Sequence, residues 1–139
     1  MTQRDPRIDL AEKLFAAWSS GNADAPKPYL SPDAVLHDIV GGEHHGWDDI
    51  RKFFAEGLAL WPDLVLLPEG KYWLNDQGLA MTWVMSATVP NDMFGPEARG
   101  KKWRAEGMSF LNISNGVVTY EGDYFDSGAI AKSLGIQQK

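Results

Sequence analysis

Gly116-Val117-Val118-Thr119-Tyr120-Glu121-Gly122-Asp123-Tyr124-Phe125-Asp126 reads as a turn followed by a strand in which apolar and aromatic residues surround carboxylates. Successive side chains of a strand point to opposite faces, so Thr119, Glu121, Asp123 and Phe125 share one side and Tyr120, Gly122, Tyr124 and Asp126 the other. One side therefore carries acids toward whatever the sheet covers. An acid turned toward an apolar interior loses water, its pKa rises, and it becomes suited to proton transfer near neutral pH. The same pattern leaves open an Asp123 that faces solvent or an arginine.

Working back from this strand, period 2 continues. Lys102 to Ser114 leads into the turn at Asn115-Gly116, and Leu79 to Val89 places Met81, Trp83, Met85 and Ala87 on one side and Thr82, Val84, Ser86 and Thr88 on the other. Asp63 to Leu67 and Lys71 to Leu74 are strand candidates split by Pro68-Glu69-Gly70, and Asn75 to Gly78 is a turn. Before Pro62 the period changes to 3.6. Asp5 as cap and Pro6 at the first helical position start a helix whose stripe is Leu10, Leu14, Phe15, Ala17 and Trp18, with Gly21 at its end. A second helix from Trp47 carries Ile50, Phe53, Phe54, Leu58 and Trp61. Between them, residues 22–32 read as a short helix or loop, Ala34 to Val40 as a strand with Leu36, Asp38 and Val40 on one side, and Gly41 to Gly46 as a turn. A last short helix, Ala129 to Leu134, is expected to be capped by Ser127 and closed by Gly135. Helices followed by strands joined through turns predict an α+β domain over 1–139, with helices covering one face of a curved sheet.

Composition bounds the function. The 139 residues fit one domain with a substantial core. Without cysteine there are no disulfides, thiolate nucleophiles or cysteine-based metal centres, and the three histidines, two of them adjacent in a turn, do not make a metal site expected. The start Met-Thr-Gln-Arg-Asp-Pro lacks the apolar core of a signal peptide, and Leu64 to Leu67 is far too short to cross a bilayer, which points to a cytoplasmic protein without a membrane partner. With 13 basic against 19 acidic residues the net charge is −6, and the small cluster Arg99, Lys101, Lys102 and Arg104 does not build the basic face that nucleic acid requires. The 12% aromatic content fills a core and can also wall a pocket for an apolar ligand.

The order of elements and several strings resemble the SnoaL-like branch of the nuclear transport factor 2-like superfamily, the cone-shaped fold shared with ketosteroid isomerase and limonene epoxide hydrolase. The strings are Leu30-Ser31-Pro32-Asp33-Ala34-Val35-Leu36-His37-Asp38, Leu60-Trp61-Pro62-Asp63-Leu64, Asn115-Gly116-Val117-Val118 running into Gly122-Asp123-Tyr124-Phe125-Asp126, and Leu134-Gly135-Ile136. The resemblance implies a curved antiparallel sheet wrapped around N-terminal helices, an internal apolar cavity, no cofactor, and a homodimer formed through the outer sheet face. That outer face would carry Val84, Met108, Phe110, Tyr120 and Tyr124.

The fold hosts isomerases, cyclases, dehydratases, hydrolases and non-catalytic binders, so side chains must decide between them. Asp38 falls where ketosteroid isomerases hold a proton-shuttling aspartate, an enzyme that serves as a general worked case of pKa tuning. The tyrosine and protonated aspartate of those enzymes align with Leu14 and Ser109. Asp123 matches the limonene epoxide hydrolase aspartate that helps to activate water, whereas that enzyme's arginine and second aspartate align with Trp83 and Met85. The polyketide cyclases of the branch use an acid on the strand that here carries Ser109.

The residues together give Asp38 and Asp123 as acid and base acting on a cyclic or polyketide-like molecule. Trp18, Phe54, Trp61, Trp83, Met85, Ser109 and Phe125 are read as the ligand-binding wall, with Trp83 foremost. Glu121 shares a face with Asp123 but lies nearer the strand start, where solvation or pairing with Arg104 is expected, and His37 is expected to face away from Asp38. A binding module that sequesters an apolar ligand, or a protein-interaction domain, are the alternatives for the same fold.

Overall fold

The computed structural model describes residues 4–136; Met1, Thr2 and Gln3 of the charged start, and residues 137–139, lie outside it. Helix α1 (Pro6–Trp18) starts where Asp5 accepts the Arg7 amide, with proline at the first turn. A single 3₁₀ turn, Lys27–Tyr29, leads into β1 (Leu30–Asp38), which pairs with a short strand β2 (Gly42–His45). Then follow α2 (Trp47–Leu60), β3 (Val65–Leu74), β4 (Gly78–Thr88), β5 (Lys102–Ser114), β6 (Val117–Phe125) and α3 (Gly128–Ser133).

The six strands form one sheet in the order β2-β1-β6-β5-β4-β3. Every neighbouring pair is antiparallel except β1 and β6, which run parallel. The chain thus departs at one seam from a purely antiparallel sheet. The parallel register is what sets Asp38 beside Asp123 and Leu36 beside Glu121.

The inner face is the core. Met81, Trp83, Met85 and Ala87 of β4 are buried as the alternation predicts, and they pack with Leu14, Phe15 and Trp18 of α1 and Ile50 and Phe54 of α2. Helix α1 is tied to the β3 side by polar contacts. Ser19 Oγ accepts from the Leu66 amide at 2.9 Å, the Tyr72 hydroxyl donates to Glu12 at 2.6 Å, and Arg7 reaches the Asn75 carbonyl at 2.6 Å. Burial and the Glu12 carboxylate push the Tyr72 hydroxyl up to about 12, so it stays a donor.

Local readings differ from the structure in four places, each for a physical reason. Strand β3 is continuous through Pro68-Glu69-Gly70, because the register slips there as a bulge and β3 is an edge strand that tolerates a residue without an N–H. The stretch read as a turn, Gly41 to Gly46, contains β2, because Asp38 Oδ1 accepts the Val40 and Gly41 amides at 2.8 Å each and reverses the chain within those residues. Strand β1 begins at Leu30, earlier than the alternation suggested. At α3, Ser127 makes no capping bond; Asp126 Oδ1 accepts the Gly128 amide at 2.9 Å instead.

Candidate active site

The inner face of the sheet and the three helices enclose a cavity of about 360 Å³. Its wall is built from α1 (Trp18), α2 (Phe53, Phe54), the turn after α2 (Trp61), the strands (Leu36, Met85, Trp103, Phe125) and α3 (Ile130). Its polar groups are carboxyls, from Asp38, Glu121 and Asp123, together with Ser127. Among the described residues no lysine, arginine or histidine lines it.

Asp123 lies near the C-terminal end of β6, two residues before Phe125, and is 9% exposed. Across the β5–β6 ladder stands Ser109, whose hydroxyl donates to Asp123 Oδ1 at 2.6 Å. Behind Ser109, Trp83 Nε1–H donates to Ser109 Oγ at 2.8 Å. An indole N–H only donates, so the serine must receive there and send its own proton to Asp123. The Trp83 ring fits because its strand partner is Gly107, where a Cβ would overlap the ring.

Glu121 lies two positions earlier on the same face and is 2% exposed. Trp18 Nε1–H donates to its Oε1 at 3.0 Å. Burial in this apolar wall raises the Glu121 carboxyl well above the usual carboxylate range, and the neighbouring Asp123 charge and a hydrogen bond to Asp123 raise it further, against the opposing Trp18 contact. Burial also pushes Asp123 up to about 6, while the bonds from Glu121 and Ser109 favour its ionised form and the Asp38 charge disfavours it. Burial thus raises both carboxyls, and because they interact they titrate together as a pair. Asp38 is half-buried; one of its oxygens is occupied by backbone amides and its charge acts on both neighbours.

Of the residues singled out in the sequence, Asp38, Asp123, Trp18, Phe54, Trp61, Met85 and Phe125 all line the cavity. Trp83 and Ser109 do not; they form a relay behind Asp123, fully buried at 1% and 0% exposed. Glu121 turns inward instead of pairing with Arg104, which sits 3.7 Å from Glu106. The inward alternation that flagged Asp123 covered Glu121 equally and was the available signal. Trp103 and Phe53 were also missed, Trp103 because it opens a strand whose charged neighbours suggested solvent. His37 packs edge-on against Tyr124 with ring centroids 6.0 Å apart, and His44 stacks on Phe53 at 4.1 Å. No group of three or more histidine, aspartate or glutamate side chains among the described residues is arranged to hold a metal ion.

A curved sheet closed by helices over a carboxyl-bearing cavity defines the class of nuclear transport factor 2-like folds. Within it, the model of the SnoaL-like domain matches residues 11–121, and the chain belongs to that family. Among solved structures, a candidate polyketide cyclase from Acidithiobacillus ferrooxidans superposes with a TM-score of 0.82 at 21% identity, over 97% of this chain and 98% of that one. IdmH, a candidate polyketide cyclase from Streptomyces antibioticus, gives 0.80 at 18% identity over 96% and 100%. A ketosteroid isomerase-like-fold protein from Catenulispora acidiphila, in complex with trimethylamine, gives 0.80 at 15% identity over 93% and 94%. At these identities the likeness establishes the fold. Among curated proteins none matches the sequence. No helix among the described residues is long and apolar enough to cross a membrane.

Proposed function

We propose that the chain is a small cofactor-independent enzyme that performs acid/base chemistry on a cyclic or polyketide-like molecule held in the cavity, working in the cytoplasm as a homodimer joined through the outer sheet face. The observation that carries this reading is the pair of neighbouring carboxyls, Glu121 and Asp123, buried at the cavity wall, where loss of water raises both above the usual carboxylate range. Asp123 is the base: its carboxylate takes a proton from a carbon beside a carbonyl and returns it to the resulting enolate, at the same or a neighbouring carbon. Glu121 keeps its proton and holds Asp123 in place, and Ser109 directs the free lone pairs of Asp123 toward the cavity. Asp38 tunes Asp123 through its charge and shapes the turn at the cavity mouth. The apolar wall and the small-molecule complex of the Catenulispora protein also support a ligand in this space.

Deuterium washout from the α-carbon of β-tetralone, followed by proton NMR, tests the reading without knowledge of the natural substrate. The protein should accelerate washout over buffer, and Asp123→Asn should lower the enzymatic rate by roughly 100-fold or more while leaving the circular dichroism spectrum unchanged. A folded Asp123→Asn variant with the full rate would overturn it. Undiminished ligand retention with no washout in any variant would instead mark a non-catalytic binder.

A further inference from the structure

The three carboxyls of the cavity differ in what holds them. Glu121 accepts the Trp18 indole N–H and Asp123 accepts the Ser109 hydroxyl, and both acids are buried. Asp38 is half-buried, and a single oxygen, Oδ1, takes both the Val40 and the Gly41 amides at 2.8 Å each. Among the described residues no donor or cation of the protein meets its second oxygen. The two amides hold the carboxyl in one orientation, so that oxygen is set in place before any ligand arrives.

The cavity opens beside this carboxylate. Val40 and Leu60 line it and are 61% and 39% exposed, which marks the rim. Gly41 lets an aromatic ring approach there: a Cβ at this position would lie 2.7 Å from Phe53 Cζ and 3.6 Å from Asp38 Cβ. Phe53 lines the cavity, and Phe54 and Trp61 continue the aromatic wall. Ring faces carry negative potential, so rings beside a carboxylate favour a positive charge twice over. No lysine, arginine or histidine among the described residues lines the cavity to answer Asp38, and its neighbour across the parallel β1–β6 seam is a second acid, Asp123.

We infer that Asp38 is the counter-ion for a positively charged group of the ligand, held between its second oxygen and the Phe53 ring at the cavity mouth. The inference rests on the cavity being the ligand site proposed above, and it narrows the ligand class to a cyclic molecule that bears a protonated or quaternary amine. An alkylated ammonium suits the place best. Its methyl groups pack on apolar and aromatic surface, it gives up less hydration than a bare ammonium, and its charge still reaches the carboxylate through a medium of reduced dielectric. Anions are disfavoured by the same acids and rings. Asp38 binds the cation and leaves proton transfer to Asp123.

The test uses two probes of equal shape and different charge, 3-(hydroxymethyl)-N,N,N-trimethylanilinium and 3-tert-butylbenzyl alcohol, titrated calorimetrically at about pH 8, above the ordinary histidine range. The wild type should bind the cation about 10-fold tighter than the alcohol. In Asp38→Asn, whose amide oxygen can still accept the two backbone amides, that preference should fall below about 2-fold with the alcohol bound as before. Asp123→Asn should lose less of it. In the wild type the N-methyl protons should show nuclear Overhauser contacts to the Phe53 ring and the Gly41 amide, a result that decides the matter even if a variant folds poorly. Equal binding of both probes by the wild type, a preference that survives in Asp38→Asn, a larger loss in Asp123→Asn, or N-methyl contacts confined to other residues would each overturn the inference while leaving the cavity as a ligand site. Failure of both probes to bind would overturn the inference and the cavity reading together.

Discussion

Ser109 Oγ lies 2.6 Å from Asp123 Oδ1 on the adjacent strand, and the Trp83 indole behind it fixes which way that bond points. Since the bond favours the ionised carboxylate, Ser109→Ala should raise the Asp123 pKa further. Asp38 acts in the opposite sense, its charge holding the Asp123 pKa up. A pH profile of deuterium washout should therefore rise through about pH 6 in the wild type. The rise should move upward by about one pH unit in Ser109→Ala, as expected for a hydrogen bond to a charged group. It should move downward in Asp38→Asn, whose amide oxygen still accepts the Val40 and Gly41 amides. Shifts of the same sign in both variants would contradict the assignment.

The same burial makes stability depend on pH. Asp123 is raised to about 6 in the folded chain, against roughly 3.9 when unfolded. The folded state binds this proton more tightly, so the contribution is fully present below about pH 4 and is lost as pH rises through about 6. The loss is on the order of 3 kcal/mol. Glu121 extends the trend to higher pH. Asp123→Asn should remove it, so urea unfolding at pH 4.5 and 8 should show the wild type losing stability relative to the variant. Exposed acids such as Asp24 and Asp5, held down by Arg51 and Arg7, work in the other direction and cancel in that comparison.

Gly107→Ala should disturb the relay without touching any carboxyl. The added methyl would overlap the Trp83 ring, whose Cζ3 would lie 2.7 Å away. Overpacking of this kind costs about 1–3 kcal/mol. Urea unfolding should report that loss, and the washout profile should shift upward as in Ser109→Ala, because a displaced Trp83 no longer holds Ser109 in line.

The outer face carries Met108 and Tyr124, each 41% exposed, beside half-buried Val84, Phe110 and Tyr120. Phe110 and Tyr120 stack edge-on with centroids 6.4 Å apart. Sedimentation equilibrium should give twice the chain mass, and Met108→Glu should shift the mass toward that of one chain. A wild type that stays monomeric at high concentration would rule out this interface.

Element type was legible where one period ran unbroken. The alternation along β4 places Met81, Trp83, Met85 and Ala87 inside, and the α1 stripe marks the buried Leu14, Phe15 and Trp18. Register between strands was not legible, because it depends on pairings distant in sequence. Glu121 shows the consequence: Arg104 is close enough in composition to suggest a partner, yet its ladder position opposite Ser86 places it beyond the end of β6. Trp83 was correctly turned inward, but only the neighbouring Ser109 and Gly107 decide that it stands behind Asp123 instead of at the cavity surface.

The bulge at Pro68-Glu69-Gly70 has a further effect, because an open sheet has two margins whose unpaired amides and carbonyls can template the addition of foreign strands. On the β3 margin, proline withholds a donor and the slipped register breaks the ladder that an incoming segment would need to match. The opposite margin, β2, has only four residues and carries Glu43 and two imidazoles. Each rim thus carries a feature that hinders the docking of an incoming strand.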